Sequence, residues 1–269
     1  MNQDKEILLF PILSSVASII LFLIFVFPFF LTYLITGVLG KESTIWIYLS
    51  IFAFYFIVAF TATFFNAGIV YIAKTRFAGG DATLGDGIRA GFKHIKPIIY
   101  WSLISATVGL ILNILESQTR ERKGIAGLLG RIAISLVGMA WAIVSVFVVP
   151  AMVIKNQGPI EALKSSVGVI KKTWGESLIR YYGLNIAKSI FLIAGVIFLL
   201  VPAIVCLIST FFALGLMLIG IFILYFMLVL VIFSSANTIF NTALFIYANE
   251  GKVPRFYSKE ELSHAFRKK

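Results

Sequence analysis

Two stretches of the sequence, 75 positions apart, decide the fold. Residues 83–104 read TLGDGIRAGFKHIKPIIYWSLI, and residues 158–179 read GPIEALKSSVGVIKKTWGESLI. They align without a gap, and the alignment places Arg89 opposite Lys164. In each copy, apolar residues recur at the spacing of one helical face, and an apolar run follows. Each copy therefore predicts a short amphipathic helix that leads directly into a membrane span.

The composition places the chain in a membrane. Of its 269 residues 60% are hydrophobic and 13% are charged, against about 25% charged residues in a typical soluble domain. Several apolar runs reach the length of about 20 residues that crosses a bilayer. We therefore expect an all-α, polytopic helical protein that forms a single integral membrane domain over residues 1–269. The net charge of +11 favours anionic membrane lipid over nucleic acid, since no basic and aromatic binding module lies outside the apolar runs.

The apolar runs and the repeat predict six transmembrane helices. Their expected positions are about 7–39, 45–73, 97–115, 131–154, 177–201 and 211–248. Two full repeat units cover about 45–116 and 131–201, and a truncated third unit covers about 211–269 with its own amphipathic helix from Ser258. The split of the last long apolar run, near 202–210, is the least constrained of these boundaries, and a re-entrant segment after Pro202 is an alternative.

The linker helices carry a predicted apolar stripe and a basic face. The stripes consist of Leu84, Ile88, Phe92, Ile95 and Ile99 in the first copy and of Ile160, Leu163, Val167, Ile170 and Trp174 in the second. The cations that lie off the stripes are Arg89, Lys93, Lys96, Lys164, Lys171 and Lys172. One hypothesis is that these cations bind anionic lipid headgroups at the membrane surface. The alternative is that the helices are structural elbows, which pack their stripes against the spans.

Charge asymmetry predicts the orientation. Most Lys and Arg residues outside the spans fall on the side that holds the linker helices and both termini, and the basic turn at 120–131 is the main exception. The positive-inside rule then places the linker helices and both termini in the cytoplasm, with the protein in the cell membrane.

Polar residues within the spans are candidate binding groups. Lys188 lies inside the fifth predicted span, where it either reaches towards the membrane surface or binds an anionic ligand as a buried cation. Asn66 and Asn241 hold equivalent repeat positions, so they either join helices or line one internal site. No aspartate or glutamate lies deep in a span.

Enzyme chemistry is not indicated. The two histidines, His94 and His264, are expected at the surface, and no metal-ligand spacing is present. No nucleophile elbow or phosphate-binding glycine loop occurs, and the one cysteine, Cys206, lies in an apolar run. We therefore expect neither catalysis, nor a cofactor, nor a metal.

The segment 150–174, with its Gly-Pro-x-Glu-Ala-Leu-Lys pattern and terminal tryptophan, resembles an uncharacterised family of prokaryotic multi-pass membrane proteins. Similar features occur at 10–18, 65–67, 79–87 and 101–109. More distantly, the linker pattern is similar to the membrane domain of some glycerophosphodiester phosphodiesterases, although this chain has no catalytic domain of that kind. The resemblance implies a helical membrane fold, no established activity and no functional residues.

Three functions remain open at this point. The leading one is a non-enzymatic protein that interacts with lipid or organises the membrane. The second is a transporter or channel subunit, oligomeric, in which Asn66, Asn241 and Lys188 face a path through the membrane. The third is a membrane scaffold that binds a partner enzyme through its linker helices.

Overall fold

A computed structural model describes residues 5–25, 27–28, 31, 44–120, 124–173, 177–209, 211–255 and 257. Within these ranges all regular structure is helical, and no strand occurs. The α-helices are α1 Leu9–Phe25, α2 Thr44–Phe77, α3 Leu84–Lys93, α4 Ile95–Arg120, α5 Ile125–Ser145, α6 Val148–Lys155, α7 Pro159–Thr173, α8 Ser177–Gly195, α9 Val201–Ile208 and α10 Phe212–Glu250. A 3₁₀ turn precedes α1, and a π-helical segment, Val196–Leu200, joins α8 to α9.

Five helical stretches among the described residues are long and apolar enough to cross a membrane. They are Tyr48–Phe77, Ile95–Thr119, Ile125–Lys155, Ile186–Ile208 and Phe212–Glu250. These stretches confirm the helical membrane class and correspond to five of the six predicted spans. Within the first predicted span, α1 has 17 residues, which is short of the usual length of about 20. Much of 26–43, Trp174 and the predicted helix from Ser258 lie outside the described residues.

The long apolar run after α7 divides close to the predicted place. The helical structure that begins with α8 continues through Pro202 to Ile208, and α10 begins at Phe212. The π-helical segment lies just beyond the Phe191 carbonyl, which accepts a hydrogen bond of 2.8 Å from the hydroxyl of Tyr225 on α10. A carbonyl engaged from outside its helix is a common cause of a local change in helical winding.

The fourth predicted span is interrupted, contrary to the expectation of one continuous helix. The α5 helix ends at Ser145 and α6 begins at Val148. The buried Ser166 of α7 joins the two ends, because its Oγ donates to the Val144 carbonyl (2.5 Å) and accepts from the Phe147 N–H (3.2 Å). Backbone groups freed by a break need such partners when no water reaches them.

The linker helices α3 and α7 bury equivalent positions. At the 75-residue offset, the pairs that are buried in both copies are Gly87 and Ala162, Gly91 and Ser166, and His94 and Val169. Small residues on this face let the helices approach their neighbours closely. A Cβ atom at Gly91 would lie 2.8 Å from the Phe64 ring of α2, so the ring occupies the space that the missing side chain leaves.

Only some residues of the predicted apolar stripes pack against the protein. Leu84, Ile88 and Ile95 of the first copy and Leu163 and Ile170 of the second are partly buried against the core. Phe92 and Ile160, also assigned to the stripes, are 63% and 61% exposed. The expectation of His94 at the surface was wrong, because its side chain is buried and its Nδ1 lies 2.8 Å from the Ala90 carbonyl oxygen. His94 ends α3, so the linker helix and the following span are two helices rather than one. At a membrane surface, large apolar residues can face lipid while small ones face protein.

The buried core lies at the end of the bundle that carries the linker helices. Phe10 of α1 is fully buried there and meets the Phe65 ring edge-on, with ring centroids 6.4 Å apart. Its ring also fills the space above Gly68 and Gly87, where added Cβ atoms would overlap it. Phe10 thereby attaches α1 to both α2 and the first linker helix.

Candidate functional site

A cavity of about 900 Å³ lies between α1, α2 and α10, and Lys188 of α8 completes its lining. This volume falls within the range of about 300–1,000 Å³ that is common for ligand pockets. Most of the lining is apolar. The described polar side chains that line it are Ser14, Ser15, Asn66, Lys188, Ser234, Asn237 and Thr238, and no carboxylate is among them.

The polar groups are concentrated in one part of the cavity. On α10, Thr238 precedes the helix end at Glu250 by about 18 Å at the helical rise of 1.5 Å per residue. The α10 side chains that line the cavity farther from that end, within 224–232, are all apolar. Asn66 lies about 16 Å before the end of α2 at Phe77, so it is level with the polar part. The cavity is therefore polar towards the linker helices and apolar away from them.

Asn66 and Thr238 form a direct link across the cavity wall. The Thr238 hydroxyl donates to Asn66 Oδ1 at 3.1 Å, and it also lies 3.1 Å from the Ser234 carbonyl oxygen of its own helix. The bond to Oδ1 orients the Asn66 amide and leaves the amide nitrogen as a hydrogen-bond donor. In contrast, Asn237 Oδ1 is buried and accepts no hydrogen bond from any residue that the structure describes.

Lys188 lies level with these groups. Phe191, one helical turn after Lys188, packs against Phe233 of α10 with ring centroids 5.8 Å apart. The α8 and α10 helices run in opposite directions, since Gly195 meets Tyr225 farther along. Lys188 is thus placed beside the polar part of α10, partly buried, and the described residues around the cavity include no acidic group.

The structure brings together two of the three intramembrane residues that the sequence singled out. Asn66 and Lys188 line the same cavity, whereas Asn241 is not part of its lining. Asn241 matches Asn66 in the repeat alignment, but Thr238 is the α10 residue that bonds to Asn66. Asn66 and Asn241 therefore do not line this cavity together, and Asn237 lines it instead.

The six predicted headgroup-binding cations form exposed faces on the linker helices and at the start of α4. They are Arg89, Lys93, Lys96, Lys164, Lys171 and Lys172, and all six are exposed. The Arg89 side chain is 85% exposed and lies 3.7 Å from a carboxylate oxygen of Asp86 on the same helix. These side chains are free to meet a charged surface, and no ligand is needed to explain their placement.

Asp86 belongs to the start of α3. The backbone N–H of Thr83 donates to Asp86 Oδ2 at 3.0 Å and the Asp86 N–H donates to Thr83 Oγ1 at 3.4 Å, which forms a capping box. The Thr83 hydroxyl also donates to Asp86 Oδ2 at 2.8 Å. The two hydrogen bonds to Asp86 Oδ2, with a smaller contribution from Arg89, hold the pKa of Asp86 below its ordinary value, although partial desolvation acts against them. Asp86 thus has a structural role. Among the described residues no three His, Cys, Asp or Glu side chains converge as a metal site would require.

Comparison with known proteins identifies the family. The family of unknown function DUF6159 matches residues 45–255. The chain belongs to this family. No curated protein and no solved structure matches the chain, and the distant similarity to glycerophosphodiester phosphodiesterases has no support. Within the DUF6159 match lie the linker helices and the cavity residues of α2, α8 and α10, whereas α1, which forms one wall of the cavity, precedes it.

Proposed function

We propose that this membrane protein binds a lipid within the bilayer, in the cavity between α1, α2 and α10, without catalysing a reaction. The observation that carries the proposal is the division of the cavity into a polar part near the linker helices and an apolar part farther from them. A lipid is divided in the same way, so its headgroup and its acyl chain would each meet matching side chains.

The exposed basic faces of the linker helices support the same function. Amphipathic helices with cationic faces lie at the headgroup level, and each cation near an anionic surface contributes about 1 kcal/mol of attraction. We propose that these faces hold the linker end of the bundle against the cytoplasmic leaflet of the cell membrane, with both termini in the cytoplasm. The polar part of the cavity would then lie just below the headgroups.

Filling the cavity tests the proposal. Ala62 lines the cavity, so Ala62→Trp should displace the bound lipid while leaving the protein folded. Ala140 is exposed on α5 away from the cavity, so Ala140→Trp adds the same bulk to a surface position and serves as the control. Native mass spectrometry of both variants, released from mixed-lipid nanodiscs, measures the lipid that remains bound.

We expect the Ala62→Trp protein to retain several-fold less lipid than the Ala140→Trp protein and the unmodified chain. Equal retention by all three proteins, with thermal unfolding unchanged, would show that the cavity holds no lipid and would contradict the proposal.

A transporter is the second candidate, and the presence of both Lys188 and Asn66 in one cavity favours it over the scaffold. A transporter would require the cavity to open to both sides of the membrane. Solute flux in proteoliposomes, compared between the unmodified chain and Lys188→Met, separates the two candidates. Flux that depends on Lys188 would favour transport, whereas lipid retention without flux would favour lipid binding.

A further inference from the structure

We infer that the ligand of this cavity is an anionic amphiphile, with a phosphate or carboxylate group bound by Lys188 and an acyl chain in the apolar part. This inference rests on the proposed function, because it specifies the chemical class of lipid that the same cavity selects. It adds the requirement of a negative charge, which lipid binding alone does not impose.

The described lining of the cavity carries a positive charge. Among the described residues that line the cavity, Lys188 is the one that carries a charge, and the others are apolar or neutral. A lysine ammonium within a membrane protein is stabilised by an anion or by several hydrogen-bond acceptors. No described residue of the lining is a carboxylate, so an anionic ligand would pair with Lys188 there.

The lining of the cavity also offers hydrogen-bond donors. With its oxygen bonded to Thr238, Asn66 offers its amide N–H groups, so Asn66 and Lys188 together present donors to an oxyanion.

The position of these donors relative to the apolar lining suits an amphiphile. The donors lie level with the start of the Ile186–Ile208 span, and the apolar lining continues from them towards Leu224 and Ile19. An amphiphile whose anionic group lies at Lys188 can thus extend its chain along the bundle without exposing either end to an unsuitable environment. A free phosphate or carboxylate ion could use the donors but would leave the apolar part unfilled.

Ligand retention measured with matched lipids tests the inference. The full chain is placed in nanodiscs that contain phosphatidylglycerol and phosphatidylcholine with identical acyl chains, and native mass spectrometry gives the ratio retained. Parallel samples with added oleate or with inorganic phosphate distinguish a phospholipid, a fatty acid and a free anion. The variants are Lys188→Met, which keeps length but removes charge, and Lys188→Arg, which restores charge. Lys164→Met removes a cation from the exposed face of α7 and serves as the control.

We expect Lys188→Met to lower the ratio of anionic to zwitterionic lipid about tenfold, as for loss of one charge-assisted hydrogen bond. Lys188→Arg and Lys164→Met should keep the ratio close to that of the unmodified chain. The preference that depends on Lys188 should also persist at high salt, since salt screens a partly buried pair much less than an exposed one. Retention of oleate in place of phosphatidylglycerol would identify a carboxylate ligand and would equally support the inference.

Three results would overturn the inference, and they differ in whether the lipid-binding function also fails. Equal retention of both phospholipids and no retention of oleate, together with loss of all lipid in Ala62→Trp, would reject the anionic ligand and leave the lipid-binding function standing. Retention of no lipid by the unmodified chain would reject both. A preference that is lost in Lys164→Met but kept in Lys188→Met would assign charge selection to the linker helix and reject the role of Lys188.

Discussion

The contact between Phe10 and Gly68 predicts a strong coupling between two substitutions. The three heavy atoms nearest to an added Cβ at Gly68 all belong to the Phe10 ring, so Gly68→Ala would force the ring out of its place. Overpacking of this kind costs about 1–3 kcal/mol. In a helix interior without such a clash, alanine is instead more stabilising than glycine by about 0.5–1 kcal/mol.

Gly68→Ala should therefore have opposite effects on the free energy of unfolding in the unmodified chain and in the Phe10→Ala variant. In the unmodified chain we expect Gly68→Ala to lower the free energy of unfolding by about 1–2 kcal/mol. Phe10→Ala alone should cost about 3–5 kcal/mol, because the ring is fully buried. In the Phe10→Ala background, Gly68→Ala should be neutral or stabilising, since the ring that it would strike is gone. The coupling free energy should be about 2 kcal/mol.

Unfolding by SDS titration in mixed micelles, followed by the fluorescence of the four tryptophans, measures all four free energies of the cycle. Gly220→Ala is the matched control, because nothing lies within 4 Å of an added Cβ there. It should have the same small effect with and without Phe10. Additive effects of Gly68→Ala and Phe10→Ala would refute the proposed packing of α1 against α2.

Two further predictions concern the linker helices. Ser166→Ala should lower the free energy of unfolding by about 1–3 kcal/mol, because it leaves the Val144 carbonyl and the Phe147 N–H without their buried partner; the same SDS titration measures this loss. Asp86→Asn should remove part of the acid sensitivity of the fold. Since the pKa of Asp86 is lowered in the folded chain, its ionised form stabilises the fold above the ordinary aspartate pKa, and this contribution is lost as the pH falls through the lowered value. Thermal midpoints of both proteins between about pH 5 and about pH 2 measure the difference.

Each of these two predictions has a control variant. Ser209 is exposed and bonds to a carbonyl of its own helix, so Ser209→Ala should change stability little. Thr83→Ala removes the hydroxyl donor but keeps the N–H donor to Asp86, so it should weaken the pH dependence without abolishing it. A Ser166→Ala protein as stable as the unmodified chain, or an unchanged acid transition in Asp86→Asn, would contradict the corresponding role.

The sequence predicts the spans well because apolar length is a direct requirement of the bilayer. The end of α2 at Lys74 and Arg76 and the break before α10 both follow from that requirement. The interruption between α5 and α6 could not be predicted, since the side chain that satisfies its free backbone groups, Ser166, comes from a later helix. The sequence around a helix break does not show which side chain from a later helix will bond to the free backbone groups.

The packed face of the linker helices was predicted only in part, for a different reason. In water, a large apolar side chain such as Phe92 or Ile160 marks the face towards the protein. In a membrane, lipid is as apolar as the protein interior, so size rather than hydrophobicity decides which residues face another helix. The glycines at 87 and 91 were the better signal, because they accept the rings of Phe10 and Phe64.

The candidate site was half predictable. A cation and asparagines within apolar spans are costly, which draws attention to Lys188 and Asn66, and these two residues line one cavity. Which side chains share one cavity depends on how far α10 is displaced along its axis relative to α2, and the repeat alignment does not contain that displacement. The neighbour of Asn66 is therefore Thr238, and Asn237 contributes to the cavity where Asn241 does not.

The double hydrogen bond of Ser166 makes α7 and the joint between α5 and α6 a single mechanical unit. A tilt or a shift in depth of α7, for example when its basic face meets a differently charged leaflet, must either break both bonds or turn the joint with it. The connection is short, because a single hydroxyl group makes both bonds. If the basic face of α7 meets the membrane surface as proposed, a change of lipid charge there would change the angle between α5 and α6.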